Sequence, residues 1–343
     1  MLTQTKNHVI EALEKKQFFK LVCGASLTDI KMIEDLSFIF TLAGAHVIDL
    51  APTADVIFAA KKGIERALHI QDSGLPPKAR LAEGGRTPML MASIQLDKDP
   101  HFRKVEVDYN LCDLCGACIK ICPTSAFKIE DKKFVYFIER CFGCGICPSY
   151  CHASALNMKD TKLTPKETLN DMLLLGIKAI EFHFGKNYKV IEEIWPEIKD
   201  LVKEIEILSF SIGSELLNND EIRNAANLCY KLALKDIILQ CDGKPMSGGL
   251  NDVENGNNSD IPSFQVAKVI QEEKLPVYLQ ISGGTNQLSY TRALEAHLDI
   301  NGVAIGSYAR KLLMPFLLKK ENVDDAVKIA QCLVDSVKIY ERK

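Results

Sequence analysis

The stretch KAIEFHFGKNYKVIEEIWPEIKDLVKEIEILSFSIG, Lys178–Gly213, decides the fold. It opens and closes on runs in which apolar and polar side chains alternate. Ile180, Phe182 and Phe184 oppose Glu181 and His183; Leu208, Phe210 and Ile212 oppose Ser209 and Ser211. Side chains of a strand point alternately to its two faces, so each run has one apolar and one polar side. The residues between read as helix, which makes a strand–helix–strand unit. Outward from it, strands are expected at Phe19–Ala25, Ala45–Ala51, Thr87–Gln95, Lys178–Phe184, Glu206–Ile212, Asp236–Cys241, Pro276–Ser282 and Gly302–Gly306. Each is followed by a helical pattern. The clearest is Asn218–Ala233, with Ile222, Ala225, Ala226, Cys229 and Ala233 on one face. Thr28 or Asp29 is placed to cap the helix that runs toward Leu42.

Eight such units fit an α/β fold of the closed (β/α)8, TIM-barrel type, for which about 250 residues is typical. An open doubly wound sheet produces the same alternation with fewer strands, so the count favours the barrel. Residues 97–160 break the rhythm and read as a module inserted after the third strand. The expected organisation is residues 1–96 as the first part of the barrel, 97–160 as the insert and 161–343 as the remainder. A second long connection, Asp242–Phe264, is rich in Gly and Asn and reads as a lid or a surface excursion.

The insert holds eight of the twelve cysteines. Cys112, Cys115, Cys118 and Cys122, followed by Pro123, form one C-x2-C-x2-C-x3-C array; Cys141, Cys144, Cys147 and Cys151 form another. This is the spacing of a bacterial two-cluster ferredoxin, in which the fourth cysteine of each array ligates the other cluster. Cys112, Cys115, Cys118 and Cys151 are therefore expected to hold one [4Fe–4S] cluster, and Cys122, Cys141, Cys144 and Cys147 the second. Zinc and disulfides are the competing readings; two like arrays and the absence of a secretory signal weigh against both. The C-x3-C-x2-C of radical enzymes is missing, because Ser125 and Ser154 stand where its last cysteine is needed. Gly116 and Gly145 let backbone amides approach the sulfurs. His152 follows the second array in place of proline.

In a barrel the helices cover the outside, so the polar strand faces should look inward. Gln240 and Asp242 oppose Ile237, Leu239 and Cys241, and Gln280 and Ser282 oppose Val277, Leu279 and Ile281. Candidate residues at the barrel mouth are His183, Asp242, Lys244 and Gln280. The plainer reading is that inward polar groups pair with one another or hold water. The last two strands end in Ser282-Gly283-Gly284 and Gly306-Ser307. Phosphate sites recur in the loops at these strand ends, so Gly283, Gly284, Gly306 and Ser307 are candidates for a phosphorylated ligand, of which FMN would suit. Cys23 and Cys241 read as core.

Composition sets outer bounds. The chain of 343 residues is 47% hydrophobic and 25% charged, with Lys+Arg 42 against Asp+Glu 45 and a net charge of -3. Neither sign forms blocks, which argues against nucleic acid as a partner. The N-terminal MLTQTKNHVIEALEKKQ has no apolar signal core, and the richest apolar run, Met172–Ile180, is too short to span a bilayer. A cytoplasmic protein without a membrane span is expected.

LVCGAS near the start, AHVIDLAPTADVI, DPHFRK at Asp99–Lys104, QCDGKPMSGG and ISGGTN, with the ferredoxin-type insert, resemble the cyanobacterial light-dependent period protein (LdpA) family. The resemblance implies an iron–sulfur protein that senses redox state or light quality and relays it to the circadian clock through redox or clock-input protein partners. The barrel is also similar, in fold, to flavin-dependent dehydrogenases. The alternative function is therefore an oxidoreductase in which clusters pass single electrons to a flavin at the mouth. A scaffold with structural clusters ranks below both.

Overall fold

The computed structural model describes residues 2–72, 87–161, 163–213, 215, 217–233, 236–243, 259–319 and 322–338. Lys244 and residues 245–258 of the expected long connection lie outside the described residues. Eight parallel strands close into a barrel: β1 (Phe18–Val22), β2 (Val47–Leu50), β3 (Met89–Gln95), β8 (Ala179–His183), β9 (Ile207–Gly213), β10 (Ile238–Asp242), β11 (Tyr278–Ser282) and β12 (Gly302–Ile305). Closure is the pairing of β1 with β12, Phe18 opposite Gly302 and Leu21 opposite Ile305. This excludes the open sheet. A Cβ on Gly302 would meet the Phe18 carbonyl oxygen at 2.2 Å, so only glycine permits that approach. The first strand ends earlier than the apolar run suggests, because Gly24 at φ 111 turns the chain out of extended conformation.

Helices α2 (Ile30–Ala43), α3 (Ala54–Asp72), α6 (Pro165–Leu174), α7 (Val190–Val202), α8 (Asn219–Ala233), α9 (Ile261–Glu272), α10 (Ser289–Glu295), α11 (Ser307–Lys319) and α12 (Val323–Asp335) surround the barrel. Asp29, not Thr28, caps α2: its Oδ1 accepts from the amides of Lys31 (3.1 Å) and Met32 (3.0 Å). The apolar strand faces, including Ile180, Phe182, Leu208, Phe210, Leu239, Cys241, Leu279 and Ile281, join the inner faces of these helices in one core. An additional helix, α1 (Leu2–Glu14), lies across the opposite end. Its Val9, Ala12 and Leu13 join Phe18, Val47, Met91, Ala179, Ile207 and Ile238 in a second core that plugs the N-terminal end of the barrel.

Between β3 and α6 the chain forms a small module. β4 (Arg103–Val107) pairs antiparallel with β7 (Leu156–Asp160), bringing the module's two ends together, and β5 (Phe127–Glu130) forms a hairpin with β6 (Lys133–Tyr136). Asp131 and Lys132, both at positive φ, make the hairpin turn. Two one-turn helices, α4 (Ala117–Ile121) and α5 (Ile146–Ser149), complete it. The module is tied to the barrel's mouth end at the start of α2. The Thr28 amide donates to Glu139 O (2.9 Å), Arg140 Nε to Asp29 Oδ2 (3.1 Å), and Lys104 Nζ to Ile138 O (2.7 Å) and Thr28 Oγ1 (3.1 Å). Among the described residues no helix is long and apolar enough to cross a membrane.

Candidate functional site

Each cysteine array is a short turn followed by a helical turn, and the two arrays repeat one backbone design. Gly116 and Gly145 sit in the left-handed region at φ 73 and 74, directly before α4 and α5. Leu114 matches Gly143, and Ser125 matches Ser154, again at positive φ. Ala126 N donates to Cys122 Sγ and Ala155 N to Cys151 Sγ, both at 3.3 Å. None of the eight cysteines is in a disulfide; Cys118, Cys141 and Cys147 are buried and Cys115 is exposed.

The electrostatic neighbours of these thiols cross between the arrays. Burial pushes the Cys118 thiol up to about 11, and the groups that add to this are Cys112, Cys115 and Cys151. Burial also lifts Cys144 to about 11, with Cys122 and Cys141 beside it and Arg103 opposing. Cys147 is raised by burial and by Cys144, Cys141, Cys122 and Cys118. Two thiol quartets with amide donors aimed at their sulfurs suit iron–sulfur clusters, whose irons take the thiolate and release its proton.

The second array faces the barrel mouth. Phe142 lies against Gly24, and the Arg310 guanidinium stands 4.6 Å from its ring centroid. Arg310, on the first turn of α11, donates to Val22 O (2.5 Å) and Cys23 O (2.8 Å) at the end of β1. Burial brings its pKa down to about 10, opposed by Cys23, Cys144 and Asp49.

Below this lies a buried polar network drawn from most of the strands. Lys20 Nζ donates to Glu181 Oε2 at 2.5 Å, Ser209 Oγ to the same oxygen at 2.7 Å, and Gln240 Nε2 to Glu181 Oε1 at 2.9 Å. Gln280 Nε2 donates to Gln240 Oε1 (2.6 Å), Ser93 Oγ to Asp49 Oδ1 (2.8 Å), and Asp242 accepts from Ser211 and Gln240. Burial alone would lift the Glu181 carboxyl, but Lys20 and His183 outweigh it and hold it below the usual carboxylate range. Asp49 goes the other way, to about 6, through burial and the nearby Glu181 charge.

The expected candidates divide into three groups. His183, Asp242, Gly283, Gly284, Gly306 and Ser307 line one pocket at the mouth. Gln280 lies beneath it, bonded to Gln240, and Lys244 lies outside the described residues. A Cβ on Gly283 would meet Gly243 N at 2.7 Å and one on Gly284 would meet Ser259 O at 2.1 Å, so backbone packing by itself requires these glycines. Sequence reasoning missed Lys20, Asp49 and Ser93, which the same strand alternation points inward, and also Arg310, Asp99 and His101. Asp99 starts a single 3-10 turn, Pro100–Phe102, that carries His101 to the pocket. His101 Nδ1 is 2.6 Å from Asp99 Oδ1, and this carboxylate outweighs burial and lifts the imidazole to about 9.

Residues 104–127 match a 4Fe-4S binding domain model, and residues 172–341 match the light dependent period A C-terminal domain. Light dependent period A of Synechococcus elongatus is 26% identical over 339 residues, which span 95% of this chain and 90% of the relative. Among solved structures, the chain is similar to tryptophan synthase from M. tuberculosis, with TM-score 0.46 and 7% identity over 97% of this chain and 99% of that one. It is similar also to the tryptophan synthase alpha subunit of Legionella pneumophila, with TM-score 0.47 and 8% identity over 96% and 98%. On these matches the chain is an iron–sulfur protein whose residues 172–341 carry the light dependent period A C-terminal domain, and it is similar over nearly its whole length to light dependent period A of Synechococcus elongatus.

Proposed function

We propose that the protein is a redox sensor with two [4Fe–4S] clusters, which reports redox state to clock-input protein partners. Cys112, Cys115, Cys118 and Cys151 would hold one cluster and Cys122, Cys141, Cys144 and Cys147 the other. When bound, they supply one-electron exchange. The observation that carries the reading is Arg310. Cys144 is among the groups that act on its charge, its guanidinium stands on Phe142 of the inner cysteine loop, and its Nη1 holds the end of β1. A change of charge held by the inner quartet acts on this buried guanidinium, and through it on the seat between module and mouth. Cys115, exposed, gives the outer quartet access to an external electron donor or acceptor. The relative's name, tied to a light-dependent period, supports the clock as destination.

Amide hydrogen exchange of the anaerobic holoprotein tests this. Dithionite reduction is expected to change protection around Val22–Gly24 and Ser307–Arg310. Equal protection in the oxidised and reduced states would remove the sensor reading.

A second reading, a flavin-dependent oxidoreductase, is favoured by Gly283, Gly284, Gly306 and Ser307 sharing one pocket with Arg310 and His183. Stoichiometric flavin fluorescence in the supernatant of heat-denatured, anaerobically purified protein would support it. Its absence from protein that keeps iron and sulfide would leave the sensor.

A further inference from the structure

The mouth gathers several buried carboxylates. Among the described residues, Asp49, Asp99, Glu181 and Asp242 are all buried there, and the permanent cations beside them are Lys20 and Arg310. Lys20 is committed to Glu181, and Arg310 to the carbonyls of Val22 and Cys23.

His183 stands among them. Its side chain is 4% exposed, and its Nδ1 makes no hydrogen bond. Nε2 lies 3.2 Å from Glu181 Oε1, while Nδ1 faces Asp99 Oδ2 across 3.9 Å. That gap is too long for a hydrogen bond. Neighbouring ligand atoms on one ion with bonds of about 2.0–2.2 Å stand about 2.8–3.6 Å apart, so a small closure of the two side chains brings both onto one ion. Glu181 beside Nε2 selects the tautomer that leaves the Nδ1 lone pair toward Asp99, the carboxylate–histidine arrangement that orients metal ligands. His101 adjoins from the other side: its ring centroid is 5.3 Å from that of His183, and ligand atoms of Asp99, His101 and His183 all lie within 4.8 Å of one another.

We infer that Asp99, His101 and His183, with Glu181 orienting His183, form a binding site for one first-row divalent metal ion at the barrel mouth. Two imidazoles and a carboxylate leave coordination positions open toward the pocket, the pattern suited to Fe2+, Mn2+ or Zn2+. There the ion offers a Lewis acid to an oxygen-bearing ligand. Neither the module's clusters nor a flavin enters this argument, so the site stands or falls apart from the proposed sensor.

The test is a Mn2+ titration of the anaerobic holoprotein, with free Mn2+ read by electron paramagnetic resonance. Mn2+ prefers nitrogen and oxygen donors, and intact clusters keep the cysteines occupied. One Mn2+ per chain is expected, with affinity at least about tenfold weaker in His183→Gln and in His101→Gln. His152→Gln, in the exposed trio Asp113, Cys115 and His152, should bind as wild type. No binding by wild type at millimolar Mn2+, full affinity in the His183 and His101 variants, or loss in His152→Gln would each overturn the site. Should His183→Gln fail to fold, the partly exposed His101 decides the outcome alone.

Discussion

Replacing Lys20 with Met takes the cation out of the middle of the barrel. Lys20 and Glu181 are 0% and 1% exposed and 2.5 Å apart. Breaking a buried pair from one side costs about 3–5 kcal/mol, because the remaining charge is left without compensation. Ser209 and Gln240 still donate to Glu181, which places the expected loss near the lower figure. The pH dependence distinguishes this cause from a packing defect. In the wild type Lys20 holds the Glu181 carboxyl below its unfolded value, so the pair stabilises fully at neutral pH and fades only as pH falls through the depressed folded value. In Lys20→Met, burial acts unopposed by the lysine and the carboxyl rises above its unfolded value of about 4.3. That variant is then most stable at low pH and loses stability as pH rises through the raised value. Anaerobic urea unfolding, followed by the fluorescence of Trp195, the single tryptophan, should show a larger deficit at pH 8 than at pH 5.5. Lys20→Met with Glu181→Gln should recover most of the deficit. Equal deficits at both pH values, or a double variant no better than the single, would refute the reasoning.

Cys122→Ser and Cys151→Ser should each damage a different cluster, seen as distinct losses in the spectrum of the reduced protein. Loss of the same cluster in both would remove the crossed ligation. Gly302→Ala places a methyl 2.2 Å from the Phe18 carbonyl oxygen, so the β1–β12 seam must open. A destabilisation of at least about 2 kcal/mol is expected from a lowered urea midpoint, and a neutral result would contradict so close an approach. Iodoacetamide on native holoprotein should modify Cys332, which is exposed. It should spare Cys229, Cys241 and Cys23, the last pushed by burial up to about 12. Mass spectrometry of the peptides reads the pattern.

The barrel was legible because period-two alternation and strand count are local properties. His183, Asp242 and Gln280 face inward for the reason their neighbours Phe182, Cys241 and Ile281 face outward. The same rule applied to FFKLV, VIDL and MLMASIQ would have given Lys20, Asp49 and Ser93. What the alternation cannot encode is which inward groups meet, since Lys20 and Glu181 come together only through closure of the sheet. His101 and Arg310 were illegible for a related reason. One rides a 3-10 turn and the other a helix start, and both reach the pocket by tertiary placement. The plug formed by α1 left a readable trace in Val9, Ala12 and Leu13, spaced three and four apart along one helix face.

The seam between β1 and β12 also has a bearing on biosynthesis. The strand that begins at Phe18 gains its second neighbour only after Gly302 has been made, nearly the whole chain later. The module needs no such wait. Its ends pair with each other at Arg103 and Asp160, and its own small core is drawn from residues between Val105 and Met158. Local contacts of this kind form early, and long-range ones late. On the ribosome, then, the module has all its own pairings available while the barrel around it is still open.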